Sequence, residues 1–225
     1  MKMAEKKTVV LLSGGLDSVV LAHKLKKEKY AVRAITVNTG FLSNNYEIAC
    51  AKAAALDLDI PIEVLSAPGL SDLVAGFYPP GVLPMIDWDK SRPLDPVPNS
   101  AYVSGFYILA AIASFYAQLL GASTVQVAVI KEQVKSRKGF NSFFSKWGEV
   151  VSSLNANSKV ELVAPFSGLE KSEVVKLGKK LGVDFTKTWS CYGDGRFHCG
   201  VCAGCISRKT AFVESKIKDS TSYLE

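Results

Sequence analysis

Thr8-Val9-Val10-Leu11-Leu12-Ser13-Gly14-Gly15-Leu16-Asp17-Ser18 is the stretch from which the rest of the chain can be read. Five residues of buried-strand character run straight into a hydroxyl, a glycine pair and an acid that opens a helix. Such an apolar run suits a parallel strand covered on both faces. Gly14 and Gly15 let the backbone turn sharply and approach an anion, and the following helix directs unpaired N–H groups at it. Ser13 and Ser18 add hydroxyl donors. The order is neither Gly-x-x-x-x-Gly-Lys-Ser/Thr, which sets a lysine on the outer phosphates, nor the dinucleotide motif Gly-x-Gly-x-x-Gly. A phosphate site at the end of a first strand is the reading, set against a plain strand-to-helix turn.

With 225 residues and 48% hydrophobic content, the chain can bury one full core with a small appendage. The start, Met-Lys-Met-Ala-Glu-Lys-Lys, has no apolar leader, so a cytoplasmic protein is expected. Asn99 to Ile130 carries no charged side chain and is long enough to span a bilayer. Ser104, Ser114 and Gln118 within it, and the strand-like Val125 to Ile130 after a turn at Gly121 to Ser123, favour a buried helix and strand, without a membrane partner. The net charge of +6, from 27 basic and 21 acidic residues, fits anionic nucleotides but is too diffuse to argue for nucleic-acid binding.

Val19, Val20, Leu21 and Leu25 recur at helical spacing opposite Lys24, Lys26, Lys27 and Glu28, and predict the helix that carries the phosphate site. His23 within it reads as a packed or solvated side chain. A strand over Tyr30–Val37 follows, and in an open α/β sheet the carboxyl end of that strand, Val37 to Gly40, is where an adenine or ribose meets the backbone. A helix over Asn45–Leu58 and a strand over Ile62–Leu65 come next. Gly76 to Pro98 is proline-rich yet apolar at Phe77, Tyr78, Met85, Ile86 and Trp88, the composition of a lid or substrate-binding loop. Phe143, Phe144 and Trp147 read as core of a further helix, and Val160–Val163 as the last strand. A helix over Leu169–Leu181 stops at Gly182. Lys171 near its start opposes the helix dipole, an inconsistency that an anionic ligand resolves, with solvent exposure as the plain alternative.

Cys191, Cys199, Cys202 and Cys205 are separated by seven, two and two residues, with glycines between. A Cys-x-x-Cys-x-x-Cys run lets three sulfurs converge on one ion, and Cys191 supplies the fourth arm of a tetrahedron. One structural Zn2+ is expected. An iron–sulfur cluster shares the spacing, and a disulfide framework does not suit a cytosolic chain. Cys50 reads as an ordinary buried thiol, and His198, next to a ligand, as a possible substitute ligand.

Ser13-Gly14-Gly15-x-Asp17-Ser18, Ser190-Cys191-Tyr192 and Cys199-Gly200-x-Cys202-x-x-Cys205-x-x-Arg208 together resemble the 7-cyano-7-deazaguanine synthase family of the PP-loop ATP pyrophosphatases. The resemblance implies a doubly wound, five-stranded parallel sheet of the adenine nucleotide alpha hydrolase type with a C-terminal zinc knob. Residues 1–188 would form the ATP pyrophosphatase domain and 189–225 the zinc segment packed on it. It also implies a C–N ligase, often a homodimer, that uses ATP and Mg2+ to adenylate 7-carboxy-7-deazaguanine, aminates it with ammonia, and activates the amide with a second ATP to leave the nitrile. Ser13, Asp17, Ser18 and Lys171 would be catalytic. Lys171 follows Pro165 with the spacing of a family segment that returns to the phosphates. Leu12, Gly14, Gly15, Leu16, Val37 and Gly40 would complete the ATP site.

The acceptor side departs from the family's spelling. The family has Tyr-Gly-Gln-x-His-x-x-Glu after the second strand, where this chain reads Thr39-Gly40-Phe41-Leu42-Ser43-Asn44-Asn45-Tyr46-Glu47. Its Val-Pro-x-Arg-Asn becomes Val97-Pro98-Asn99-Ser100, and its acidic loop after the fourth strand becomes Glu132 to Arg137. Glu47, Arg92, Asn99 and Arg137 are the substrate-side candidates. Two alternatives stay open at this point: the same adenylation coupling a deazaguanine to a tRNA or protein acceptor, and a non-catalytic zinc scaffold. tRNA thiolation calls for a redox-active cysteine pair and an RNA-binding appendage, for which this chain has no spare domain.

Overall fold

A computed structural model of the chain describes residues 6–75, 99–135, 139–154 and 159–224. Five parallel strands form one sheet in the order β3-β2-β1-β4-β5. They are β1 (Lys7–Leu11), β2 (Ala31–Asn38), β3 (Ile62–Ser66), β4 (Thr124–Gln126) and β5 (Glu161–Val163). β1 is central because Val9 and Val10 are sealed from solvent on opposite faces, as an unbroken apolar run requires. The strand order reverses between β1 and β4, and in such sheets the crevice outside the strands' carboxyl ends at the reversal receives ligand.

Helices cover both faces. On one side α1 (Leu16–Lys27), α2 (Asn44–Asp57), α7 (Lys171–Leu181) and α8 (Ala203–Ser215) bury a core that includes Leu21, Leu25, Phe166, Val174 and Phe212. On the other, α4 (Asn99–Leu120) and α6 (Phe140–Leu154) enclose Ala110, Ala113, Ala117, Val125 and Phe140, with Phe143, Phe144 and Trp147 packed against them. Trp147 Nε1 donates to Ser114 Oγ at 2.8 Å, which satisfies the indole inside that core. Among the described residues there are also two short helices, α3 (Gly69–Ala75) and α5 (Lys131–Lys135).

Some expectations need correcting. The strand expected over Val125–Ile130 pairs only to Gln126, where its ladders with both β1 and β5 end, the latter shortly before Pro165. α4 is not buried all round. Its inner face is small, which lets the helix sit close to the sheet, while Tyr107, Phe115 and Leu119 face outward. α7 begins at Lys171, two residues later than expected, because Glu170 serves as N-cap and its N–H donates to Glu173 Oε2 at 2.8 Å. The helix over Lys131–Lys135 had no counterpart in the sequence reading. No helix among the described residues is long and apolar enough to cross a membrane.

Candidate active site and metal centre

The turn after β1 is drawn tight by its own hydroxyls. Ser18 Oγ donates to the Gly15 carbonyl at 2.9 Å and lies 3.1 Å from Ser13 Oγ, which accepts from Gly15 N–H at 3.3 Å. Gly14 has a φ of +78°, and a Cβ there would fall 2.0 Å from the Glu47 carbonyl oxygen. Only glycine lets this turn rest directly on the backbone of α2.

Asp17 opens α1, and its Oδ2 accepts from Lys171 Nζ at 3.1 Å, across 154 positions of sequence. Both side chains are only 17% exposed. This pairing removes the inconsistency of a lysine at a helix start, since the loop supplies the anion. The other oxygen, Asp17 Oδ1, is buried without a hydrogen-bond partner. An orphaned buried acceptor costs free energy, and a cation riding on bound phosphates would satisfy it.

The facing wall is built from the end of β2 and the first turn of α2. Asn44, 6% exposed, accepts at Oδ1 from both the N–H and the hydroxyl of Thr39, each at 2.8 Å. That leaves its amide nitrogen to donate to Glu47 Oε2 at 2.9 Å. Burial raises the pKa of Glu47, against the amide of Asn44 and the hydroxyl of Ser43, which act the other way.

Between these walls lies a cleft of about 330 Å³. Of the residues singled out in the sequence, Leu12, Ser13, Gly15, Asp17, Ser18, Val37 and Glu47 line it. Three others play a supporting part. Gly14 turns against α2, Leu16 is buried in the core, and Gly40 packs beside Pro68 and Ser71. The main chain of Asn99 opens α4, whereas Arg92, Arg137 and the segment 76–98 lie outside the described residues. Thr39, Asn44, Ile48, Phe106, Leu109 and Gln133 also line the cleft and were not singled out as site residues. Only Asn44 carried a signal, as a polar residue three positions before Glu47, on the same helix face.

The four cysteine sulfurs lie within 4.8 Å of one another. Cys199 Sγ and Cys205 Sγ are 3.9 Å apart, close to the edge of about 3.8 Å that a tetrahedral site with metal–sulfur bonds of ~2.3 Å requires. Backbone N–H groups of Gly193 and Cys199 point at Cys191 Sγ, and that of Cys202 points at Cys199 Sγ. The donor set fits a metal. Burial pushes the Cys191 and Cys205 thiols up, a cost that a dication reverses by binding the thiolates.

His198 is not a fifth candidate. Its Nε2 accepts from Ser190 N–H at 3.0 Å, and its ring lies between Trp189 and Tyr223. Burial, reinforced by the charge of Arg208, lowers its pKa to about 4 and keeps it neutral. Arg208 itself is fully buried and donates to Thr188 Oγ1, Ser190 Oγ, the Phe185 carbonyl and Asp219. Cys50 is half-buried beside this cluster rather than buried, its thiol pushed up to about 11 by burial.

The knob is joined to the phosphate loop. Trp189 N–H donates to the Gly14 carbonyl at 2.9 Å, and the Trp189 ring stacks on Tyr46 of α2 at 4.4 Å.

A parallel sheet in this order, with Ser-Gly-Gly-x-Asp-Ser at the end of its central strand, defines a PP-loop ATP pyrophosphatase fold. Solved structures agree: NMN synthetase from Francisella tularensis superposes with a TM-score of 0.55 at 17% identity over 96% of this chain and 80% of that one. NH3-dependent NAD synthetase from Campylobacter jejuni gives 0.51 at 19% identity over 82% and 67%. Within that fold the chain belongs to the family described as queuosine biosynthesis protein QueC, whose model matches residues 7–216. The 7-cyano-7-deazaguanine synthase of Methanocaldococcus jannaschii is 34% identical, over 97% of this chain and all of the relative. That of Methanobrevibacter smithii is 30% identical, over 99% of this chain and all of the relative.

Proposed function

We propose that the chain converts 7-carboxy-7-deazaguanine to 7-cyano-7-deazaguanine with ammonia, forming AMP and pyrophosphate from ATP. Family membership across residues 7–216, joined to a phosphate loop whose Asp17 meets Lys171 from the far end of the chain, carries this reading. The substrate carboxylate attacks the α-phosphate and displaces pyrophosphate, giving an acyl-adenylate. Ammonia then displaces AMP to leave an amide. The amide oxygen repeats the attack on a second ATP, and loss of AMP and of both amide protons leaves the nitrile.

In this reading residues 1–188 bind and cleave ATP. The backbone N–H groups of the turn, with Ser13 and Ser18, hold the phosphates, and Lys171 neutralises the leaving pyrophosphate. Asp17 would hold Mg2+, which neutralises charge on the reacting phosphates. Residues 189–225 brace the loop, with Cys191, Cys199, Cys202 and Cys205 as the ligands of one structural Zn2+. The enzyme would act as a cytoplasmic homodimer.

The test is mass spectrometry of products from ATP, 7-carboxy-7-deazaguanine and ammonium, with AMP and pyrophosphate measured in parallel. The expected products are the nitrile and two AMP per nitrile. Accumulation of the amide alone would remove the second activation from the reading. Pyrophosphate release only on addition of tRNA or a protein amine would replace the acceptor, and none under any of these conditions would overturn it.

A further inference from the structure

Asp17 and Glu47 are the titratable side chains among the described residues that line the cleft. They are committed differently. Asp17 is bound to Lys171 at the phosphate loop, so its charge serves ATP. Glu47 sits on the opposite wall, where its carboxylate accepts from the neutral Asn44 amide and Ser43 hydroxyl. Its backbone nonetheless touches the phosphate loop, because Gly14 packs against the Glu47 carbonyl and the Ala51 N–H. The carboxylate is therefore held at a fixed offset from the place where ATP reacts.

Its orientation is fixed as well. Thr39 donates twice to Asn44 Oδ1, which determines which way the amide faces and turns Nδ2 onto Glu47 Oε2. An amide neither takes nor gives a proton near neutral pH, so proton movement on this wall falls to the carboxylate. An ionised carboxylate has about four acceptor positions, and the Asn44 amide fills one. Partial burial makes Glu47 a stronger base than an exposed glutamate, which suits a proton acceptor.

We propose that Glu47 receives the nitrogen nucleophile: its carboxylate binds ammonium in the cleft and takes one proton from it, and Asn44 is the positioning residue that aims it. This rests on the acyl-adenylate reading above. The proton passes from ammonium to Glu47. The freed nitrogen lone pair forms the C–N bond at the acyl carbon, and the C–O bond to AMP breaks with its electron pair leaving on the phosphate. The adduct nitrogen's second proton goes to that departing phosphate.

The experiment compares the full-length chain with Glu47→Gln and Asn44→Ala, using ATP, 7-carboxy-7-deazaguanine and either ammonium or hydroxylamine. Hydroxylamine is neutral near neutral pH, needs no first deprotonation, and traps the adenylate as a hydroxamate. In Glu47→Gln, amide formation from ammonium should fall at least about tenfold, while hydroxamate formation and single-turnover pyrophosphate release stay near wild type. Asn44→Ala should show the same selectivity in weaker form. Equal loss with both nucleophiles, or a raised KM for ATP with the amide-to-hydroxamate ratio unchanged, overturns the assignment and makes Glu47 a structural or ribose-binding group. Unchanged amide formation overturns it too. A wild-type chain that releases no pyrophosphate with this substrate instead sinks the functional reading on which the assignment rests.

Discussion

The two walls of the cleft are made of different material. The phosphate wall is main chain, glycine and short hydroxyls at the end of β1, locked from behind by Trp189 and from the side by Lys171. The facing wall is side chains: Asn44 and Glu47 on α2, Phe106 and Leu109 on α4, and Gln133 on α5. A wall of backbone recognises what any bound ATP presents and cannot vary without loss of the fold. A wall of side chains can change its acceptor chemistry while the sheet stays as it is. Thr39, Asn44 and Gln133, in stretches that depart from the family's spelling, line this second wall, which is where such freedom exists.

The largest effect should come from behind the phosphate wall. Cys202→Ser removes a ligand from a closed four-cysteine site, and structural zinc in such sites contributes on the order of 10 kcal/mol to folding. Because Trp189 links the knob to Gly14, the wall should loosen with it. The purified variant is expected to lose its metal, fall in Tm by many degrees and bind ATP poorly. About one zinc per wild-type chain is the matching expectation, checked by elemental analysis. A variant without metal and with an unchanged Tm would detach the knob from the wall.

Asp17→Asn tests the phosphate wall itself. It keeps size and a hydrogen-bond acceptor but removes the charge that faces Lys171 and that would hold Mg2+ in the proposed reading. Loss of one preorganised electrostatic contact of this kind costs about 100-fold or more in turnover. Pyrophosphate release should fall by that order while Tm moves little. Normal release by this variant would mean that the loop is not where ATP is cleaved.

Gly14→Ala acts where the walls meet. The new Cβ would sit 2.0 Å from the Glu47 carbonyl and 2.8 Å from Ala51 N, on a residue whose φ is +78°. Overpacking costs about 1–3 kcal/mol, and a left-handed non-glycine residue about 1–2 kcal/mol more. The expected outcome is a Tm several degrees lower, with ATP cleavage and acceptor chemistry impaired together. Impairment of one alone would show that the walls are not mechanically joined.

The same division decides what could be read from the sequence. Ser13-Gly14-Gly15-x-Asp17-Ser18 was legible because a strand, a turn and a helix start are local events with local residue requirements, and the cysteine spacing was legible because metal geometry is strict. The pairing of Lys171 with Asp17 surfaced only as a local inconsistency at a helix start, and the long-range contact explains it. Asn44 was passed over because its spacing three before Glu47 marks only a shared helix face, while its importance lies in two bonds to Thr39 and one to Glu47 that the sequence does not announce. The extent of β4 was misjudged because its length is set by its ladders with β1 and β5 and not by its own apolar run. Gly40 was read as an ATP contact because it ends a strand where ligands sit. In the structure a Cβ there would meet the Pro68 carbonyl and the Ser71 hydroxyl.

The smallest effect expected is on stability, at Glu47. Burial raises its pKa in the folded chain, so the ionised form is less welcome there than in the unfolded chain. Above the raised folded value this penalty is complete. It fades as pH falls through the raised value, because the folded chain then takes up the proton first. Glu47→Gln abolishes the charge and keeps an acceptor for the Asn44 amide. Its Tm should therefore equal or slightly exceed that of wild type at neutral pH, on a scale where about 1 kcal/mol corresponds to 2–4 °C for a chain of this size. The difference should close on acidification, as measured by thermal melts across mildly acidic to neutral pH. A carboxylate that serves the fold would show the opposite sign, with the variant less stable at neutral pH. Equal or greater stability together with the loss of ammonia-dependent amide formation would mean that the facing wall keeps a charge the fold does not need, and keeps it for the acceptor.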